Sequence, residues 1–88
     1  MDLSTILTKS PDAAFRTYDG QATIVLPSRA QVSVLNEVGS AVWERIDGRR
    51  TLQEILDGIL EEFDITRDQA LGDLETFVAD LRAQGMVS

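Results

Sequence analysis

The sequence predicts an α+β domain in which a three-stranded antiparallel meander precedes three helices, an order written βββααα. In the first half, apolar and polar residues alternate with the period of two that is typical of strands, and Asp19-Gly20 favours a tight hairpin turn. In the second half, apolar residues recur every three or four positions, and helix-capping patterns begin at Thr51 and Thr66. Such a small sheet needs cover on one face, which the helices would supply.

Three short runs have the composition of strands. Residues 14–18 (AFRTY) contain two aromatic residues and a threonine, and residues 21–26 (QATIVL) place Ala, Ile and Leu on one face. Pro27 ends the second run because proline cannot donate to a central ladder. The third run, residues 31–35 (QVSVL), places its two valines on one face and Gln, Ser and Leu on the other.

The first helix is predicted directly after the third strand. Asn36 can cap a helix over about residues 37–46, and Trp43 within it is expected to anchor the core. Gly48 suits the left-handed residue that follows a helix, so Asp47-Gly48 should end it.

Two longer amphipathic helices complete the domain. The side chain of Thr51 can accept a hydrogen bond from the Glu54 N–H, and Thr66 stands in the same relation to Gln69. Gly85 closes the last helix, and the apolar pair after it should pack back on the core. The predicted apolar stripes are Leu52, Ile55, Leu56, Ile59, Leu60 and Phe63 in the second helix, and Ala70, Leu71, Leu74, Phe77, Val78 and Leu81 in the third.

The 88 residues make one domain with a modest core. Residues 1–12 are polar, carry no periodic pattern and are expected to form a flexible N-terminal segment, which leaves residues 13–88 as the folded domain. The N-terminus lacks the apolar run of a signal peptide, and no stretch approaches the length that spans a bilayer. We therefore expect a soluble, cytoplasmic protein that does not bind membranes.

The composition excludes most catalytic chemistry. The sequence has no cysteine and no histidine, which removes thiolate chemistry, the commonest general base and the commonest metal ligand. Most of its fifteen carboxylates lie on the polar faces of the last two predicted helices, where a solvated surface is the simplest interpretation. There is no calcium-binding loop and no glycine-rich phosphate loop. The sequence thus predicts a non-catalytic binding module without metal or cofactor.

Three kinds of binding module fit this size. The architecture resembles a winged helix with its sheet moved to the front, but the net charge of −7 opposes contact with phosphates, and the last helix is more acidic than basic. An acyl carrier protein needs a serine in an Asp-Ser-Leu setting, which is missing, and it has no sheet. A peptide binder remains, because an edge strand can accept an extended partner by strand addition.

The order of motifs resembles the family of PQQ-biosynthesis protein D, the PqqD-like domains. The resemblance covers about residues 13–87. Val38-Gly39 stands where members of the PQQ pathway usually show Thr-Ala or similar, which is closer to PqqD-like members from other peptide pathways. The matching motifs are AFR at 14–16, Leu35-Asn36-Glu37, Trp43, Asp47-Gly48, Thr51 with Glu54-Ile55, and Gly85-Met86-Val87.

The resemblance implies a recognition element for ribosomally made precursor peptides. Such domains bind the leader part of the precursor as an added strand, in a groove between the third strand and the last helix. They then present it to a modifying enzyme, often a radical S-adenosylmethionine enzyme or a leader peptidase. Carried onto this sequence, the resemblance places the added strand beside Gln31, Val32, Ser33, Val34 and Leu35. On a helical wheel of the last helix, Leu71 and Val78 lie towards one margin near Arg67, and Phe77 lies on the other side. The helix residues expected to contact the peptide are therefore Arg67, Leu71, Leu74 and Val78.

Alternatives remain open at the level of sequence. Within the family, the protein could serve only the PQQ precursor and its radical enzyme; outside it, a winged-helix DNA-binding regulator is the competing class. A free third-strand edge could also pair with a second copy, so a homodimer is a further alternative. Backbone alternation allows either the valines or Gln31, Ser33 and Leu35 to direct their N–H groups to the incoming peptide. The apolar residues of the last helix could also be plain core.

Overall fold

The computed structural model describes residues 1–88, apart from the side chain of Arg29. Three strands come first: β1 (Ala14–Tyr18), β2 (Gln21–Leu26) and β3 (Gln31–Val34). They form an antiparallel sheet in the order β1-β2-β3, so β1 and β3 are its edges. The predicted meander is confirmed, with the third strand one residue shorter than expected.

Local turn chemistry sets the connections of the sheet. Asp19 and Gly20 have φ angles of 53° and 79°, the pair of positive values that a type I′ hairpin requires. A single 3-10 turn at Pro27–Arg29 joins β2 to β3 and ends on Ala30, which lies in the left-handed region. Both connections are short, which fixes the register of the three strands.

The sheet has one buried and one exposed face. Ala22, Ile24 and Leu26 of β2 are almost fully buried under the helices, as the alternation predicted. On the opposite face, Val32 and Val34 are 66% and 68% exposed. The residues of β3 that face inwards are therefore its Gln and Ser rather than its valines.

Three helices cover the buried face: α1 (Glu37–Arg45), α2 (Leu52–Glu62) and α3 (Arg67–Ala83). Asn36 caps α1 by accepting from the Gly39 N–H at 2.7 Å. Thr51 and Glu54 form the complete capping box of α2. At α3 the side chain of Thr66 accepts as predicted, although the structure gives no reciprocal bond from Gln69.

The core lies between the sheet and the helices. Trp43 is fully buried at its centre, and its indole and the Phe15 ring pack in a T-shaped arrangement, with centroids 5.5 Å apart. Gly85 adopts a φ of 74° after α3, and Met86 and Val87 turn back into the core as expected. These observations confirm the architecture predicted from the sequence.

The N-terminal segment differs from the flexible chain that the sequence led us to expect. Its backbone pairs with the C-terminus through N–H groups of Thr8 and Ser10, which donate to carbonyls of Ser88 and Met86 at 3.0 and 2.9 Å. Leu7 is buried, being 2% exposed. The segment is thus held by long-range backbone pairing, a contact that leaves no periodic pattern in its own residues.

Among the helices, none is both long and apolar enough to cross a membrane, and this holds for all the residues that the structure describes.

Candidate functional site

The edge of β3 presents backbone hydrogen-bonding groups away from the sheet. The N–H of Leu35 donates to the carbonyl of Ala22 at 2.8 Å, which marks these two residues as a hydrogen-bonded pair. In an antiparallel ladder such pairs alternate with non-bonded ones. Ser33 opposite Ile24 is therefore a bonded pair, whereas Val34 opposite Thr23 is not.

This alternation decides a question that the sequence left open. The N–H and C=O groups of Val32 and Val34 point to the free edge, and those of Gln31, Ser33 and Leu35 point to β2. Neighbouring N–H groups on the free edge are two residues apart, or about 7 Å. An extended chain laid beside β3 could use all of them.

Helix α3 reaches the inner face of β3 at its C-terminal end. The hydroxyl of Ser33 donates to Oε1 of Gln84 at 3.1 Å and so joins the strand to the C-terminal end of the helix. Further back along α3, the Phe77 ring lies beside the corner where β3 meets α1. A Cβ built on Gly39 would be 3.5 Å from Phe77 Cε1 and 3.6 Å from Leu35 Cβ. Because Gly39 has no side chain, the space beside the Phe77 ring stays open at this corner.

A cleft of about 290 Å³ opens between α1, α2 and α3, and Asn36 and Gly39 at that corner belong to its lining. Its floor is apolar and includes Val42 and Leu74, both of which are buried. Its α3 rim is formed by two carboxylates on either side of a half-buried aromatic ring, and no lysine or arginine is among the described side chains that line it. The rim residues are Asp73, Phe77 and Asp80.

The cleft and the inner face of β3, together called the groove below, contain acceptor atoms without a donor. Among the described side chains, neither Asp73 nor Asp80 forms an ion pair. Oε1 of Gln31, on the inner face of β3, is buried and accepts no hydrogen bond. The groove could therefore satisfy donor groups of a bound partner.

The four α3 residues selected from the sequence fall in different places. Leu74 lines the cleft, but Val78, at 2% exposure, lies on the far side of α3 beside Met1 and Thr5. Arg67 begins the helix, about 25 Å along its axis from the Gln84 end that contacts β3.

Leu71 is half-buried near the same end as Arg67 and packs against the core. The structure therefore places the five strand residues in β3 and directly after it, and puts Leu74 in the cleft, whose described lining includes none of those five. It places Arg67, Leu71 and Val78 elsewhere.

Sequence reasoning missed the stripe of α3 that borders the groove. Its members are spaced by four, three and four residues, which puts them on one face of a helix. The predicted stripe followed the apolar residues, whereas this one is mostly polar. Only the aromatic residue in its middle offered a signal. The stripe consists of Asp73, Phe77, Asp80 and Gln84.

Comparisons with known proteins agree with this architecture. The model of the family described as coenzyme PQQ synthesis protein D (PqqD) matches residues 22–87. The PqqA binding protein of Rhizobium meliloti (strain 1021) is 29% identical over 68 residues, which span 77% of this chain and 67% of that protein.

Two solved structures share the fold. The structure of TbiB1 in complex with the TbiA(beta) leader peptide superimposes with a TM-score of 0.84 at 21% identity, covering 92% of this chain and 94% of that one. Lasso peptide synthetase B1 complexed with the leader peptide gives a TM-score of 0.82 at 15% identity, covering 96% and 99%. At these identities, the likeness establishes the fold.

Proposed function

This chain belongs to the PqqD family, and we propose that it binds the leader region of a ribosomally made precursor peptide by strand addition. The observation that carries the proposal is the free edge of β3, where Val32 and Val34 direct backbone groups away from the sheet. A peptide laid there would become the fourth strand of the sheet.

The comparisons support this class of ligand. The relative from R. meliloti is named for binding PqqA, and both solved relatives are complexes with leader peptides. The comparisons favour neither a role restricted to the PQQ pathway nor the alternative of a DNA-binding regulator. The net charge of −7 also opposes a phosphate-lined groove.

We propose further that the domain acts by presenting the peptide to a modifying enzyme, such as a radical S-adenosylmethionine enzyme or a leader peptidase. Binding through the backbone of one edge would leave the rest of the precursor outside the groove, so that a second protein could reach it. The domain itself would supply no reacting group; turnover of a precursor by the isolated chain would contradict this role.

Two peptides serve as probes of the binding step: R. meliloti PqqA and the TbiA(beta) leader. Each is titrated into the isotopically labelled chain and followed by backbone amide NMR and calorimetry. We expect the Val32 and Val34 amide signals to shift on binding, because their N–H groups gain acceptors. Shifts confined to β1 would place the peptide at the other edge and contradict the proposal.

The same β3 edge could pair with β3 of a second copy. The titrations are therefore repeated at several protein concentrations, with sedimentation measured in parallel. If the edge shifts depend on protein concentration rather than on peptide, self-pairing occupies it instead.

A further inference from the structure

The polar stripe of α3 has the length of a short bound strand. Asp73 and Gln84 are eleven positions apart, which is about 16 Å along a helix at 1.5 Å per residue. An extended chain covers that distance in about five residues at 3.3 Å each. Its side chains on one face would be about 6.6 Å apart. The helical rise is about 6 Å from Asp73 to Phe77 and about 4.5 Å from there to Asp80, so the second step is about 2 Å shorter than the strand spacing, a difference that a long side chain can span.

The middle of the stripe suits an apolar side chain. Phe77 is half-buried and stands over a floor that includes Val42 and Leu74. The cleft volume of about 290 Å³ is at the lower end of the roughly 300–1,000 Å³ that is usual for small-ligand pockets. It is large enough to accept one large apolar side chain.

The two ends of the stripe suit positive charge. Asp73 and Asp80 are exposed, and no described cation pairs with either of them. Acceptors also lie towards β3: Oε1 of Gln84 accepts from Ser33, and Oε1 of Gln31, on the inner face of the strand, is buried without a donor. Lysine and arginine carry only donors, so they complement this lining in both charge and hydrogen bonding.

From these three observations we infer that the groove selects its guest strand by charge. The guest carries a large apolar side chain over Phe77 and a lysine or arginine two residues to either side, facing Asp73 and Asp80. The inward pattern is thus basic, any residue, apolar, any residue, basic. This inference deepens the proposed strand addition and rests on it.

A displayed library of short random peptides, selected on the immobilised full chain, tests the pattern without a known ligand. We expect lysine and arginine to be enriched at the positions two residues before and after an enriched large apolar residue, with aspartate and glutamate depleted there. The most enriched peptide is then synthesised, together with a version in which both basic residues are glutamate.

Charge exchange on the protein identifies the partners. The double variant Asp73→Lys, Asp80→Lys should bind the basic peptide roughly tenfold more weakly, the scale of two exposed ion pairs, and should bind the glutamate version better than the native chain does. The control Glu61→Lys, Asp64→Lys changes the net charge equally at exposed positions outside the cleft and should bind both peptides as the native chain does. Circular dichroism checks the fold of each variant.

The outcomes separate this inference from the function on which it rests. Enrichment of apolar residues without basic ones, or equal losses in the test and control variants, overturns the charge selection and leaves strand addition standing. If no library peptide is enriched and neither PqqA nor the TbiA(beta) leader binds, the proposed function fails and the inference fails with it.

Discussion

The hydroxyl oxygen of Ser40 accepts a hydrogen bond from the backbone N–H of Ala22 at 2.7 Å, inside the core. The same oxygen lies 3.4 Å from the carbonyl of Leu35, to which it can donate. The Ser40 hydroxyl therefore replaces one of the two backbone hydrogen bonds that Ala22 and Leu35 would otherwise exchange. A side chain of α1 thus connects the ends of β2 and β3, which holds the end of β3 against the helices.

Removing this hydroxyl should destabilise the domain. In Ser40→Ala the buried Ala22 N–H loses its acceptor, so we expect the free energy of unfolding to fall by about 1–3 kcal/mol. Chemical denaturation measures the change, and amide exchange at Leu35 should accelerate. Ser28→Ala, at an exposed turn position, is the control. A loss no larger than that of the control would show that Ser40 does not connect the strands.

Two glycine-to-alanine substitutions should change the free energy of unfolding in opposite directions. Gly48 has a φ of 76°, and an added Cβ would be 3.0 Å from Thr8 Cγ2, so Gly48→Ala should cost about 1–2 kcal/mol. Gly72 lies exposed within α3 with nothing within 4 Å of an added Cβ, so Gly72→Ala should stabilise by about 0.5–1 kcal/mol. Thermal or denaturant unfolding of the pair provides the measurement. Changes of the same sign would contradict the backbone explanation.

The turn between α1 and α2 should contribute to the pH dependence of stability. The backbone N–H groups of Arg50 and Arg49 both donate to Asp47 Oδ1 at 2.9 Å and hold the pKa of that carboxyl below its ordinary value of 3.8. A lowered folded-state pKa stabilises the fold above the unfolded value, and the stabilisation is lost as the pH falls through the folded value.

Asp47→Asn keeps an acceptor oxygen but removes the charge. We therefore expect it to be less stable than the native chain near neutral pH, with the difference closing as the pH falls below 3.8. Denaturation of both proteins across this range measures the difference. Asp64→Asn, another exposed carboxylate, is the control. A difference that stays constant down to acid pH would mean that the Asp47 charge does not act in the turn.

Much of the fold could be predicted because its signals are local. The Asp19-Gly20 turn and the caps at Asn36 and Thr51 depend on residues within a few positions of each other, and all three have the geometry expected of them. The docking of the N-terminal segment could not be predicted in this way. Its hydrogen bonds join Thr8 to Ser88, eighty positions along the chain.

The candidate site was only half predictable for the same reason. The β3 edge follows from strand order, which hairpin signals determine. The groove-facing side of α3 depends instead on how the helix crosses the sheet, and a helical wheel contains no information about that crossing. The wheel placed Val78 at the margin near the peptide, but in the structure that residue faces the N-terminal segment. The contact between Ser33 and Gln84 shows which side of α3 faces β3.

A proline scan of β3 should show an alternation that only strand addition predicts. Val32→Pro and Val34→Pro each remove an N–H that points to the free edge, so the fold should survive, because edge strands tolerate proline there. Binding of a leader peptide should weaken by about 1–3 kcal/mol, the value of a lost hydrogen bond with some steric clash. Ser33→Pro removes a bond to β2 and should disrupt the fold itself.

Alanine at the same positions separates backbone from side-chain effects. Val32→Ala and Val34→Ala keep the N–H groups and truncate side chains that are 66% and 68% exposed, so both binding and stability should change little. Circular dichroism reports folding, and titration with PqqA or the TbiA(beta) leader, whichever binds the native chain, reports affinity. Strand addition requires the folded proline variants to lose affinity where their alanine counterparts keep it. If the folded proline variants bind as well as the alanine variants, the peptide docks somewhere other than the β3 edge.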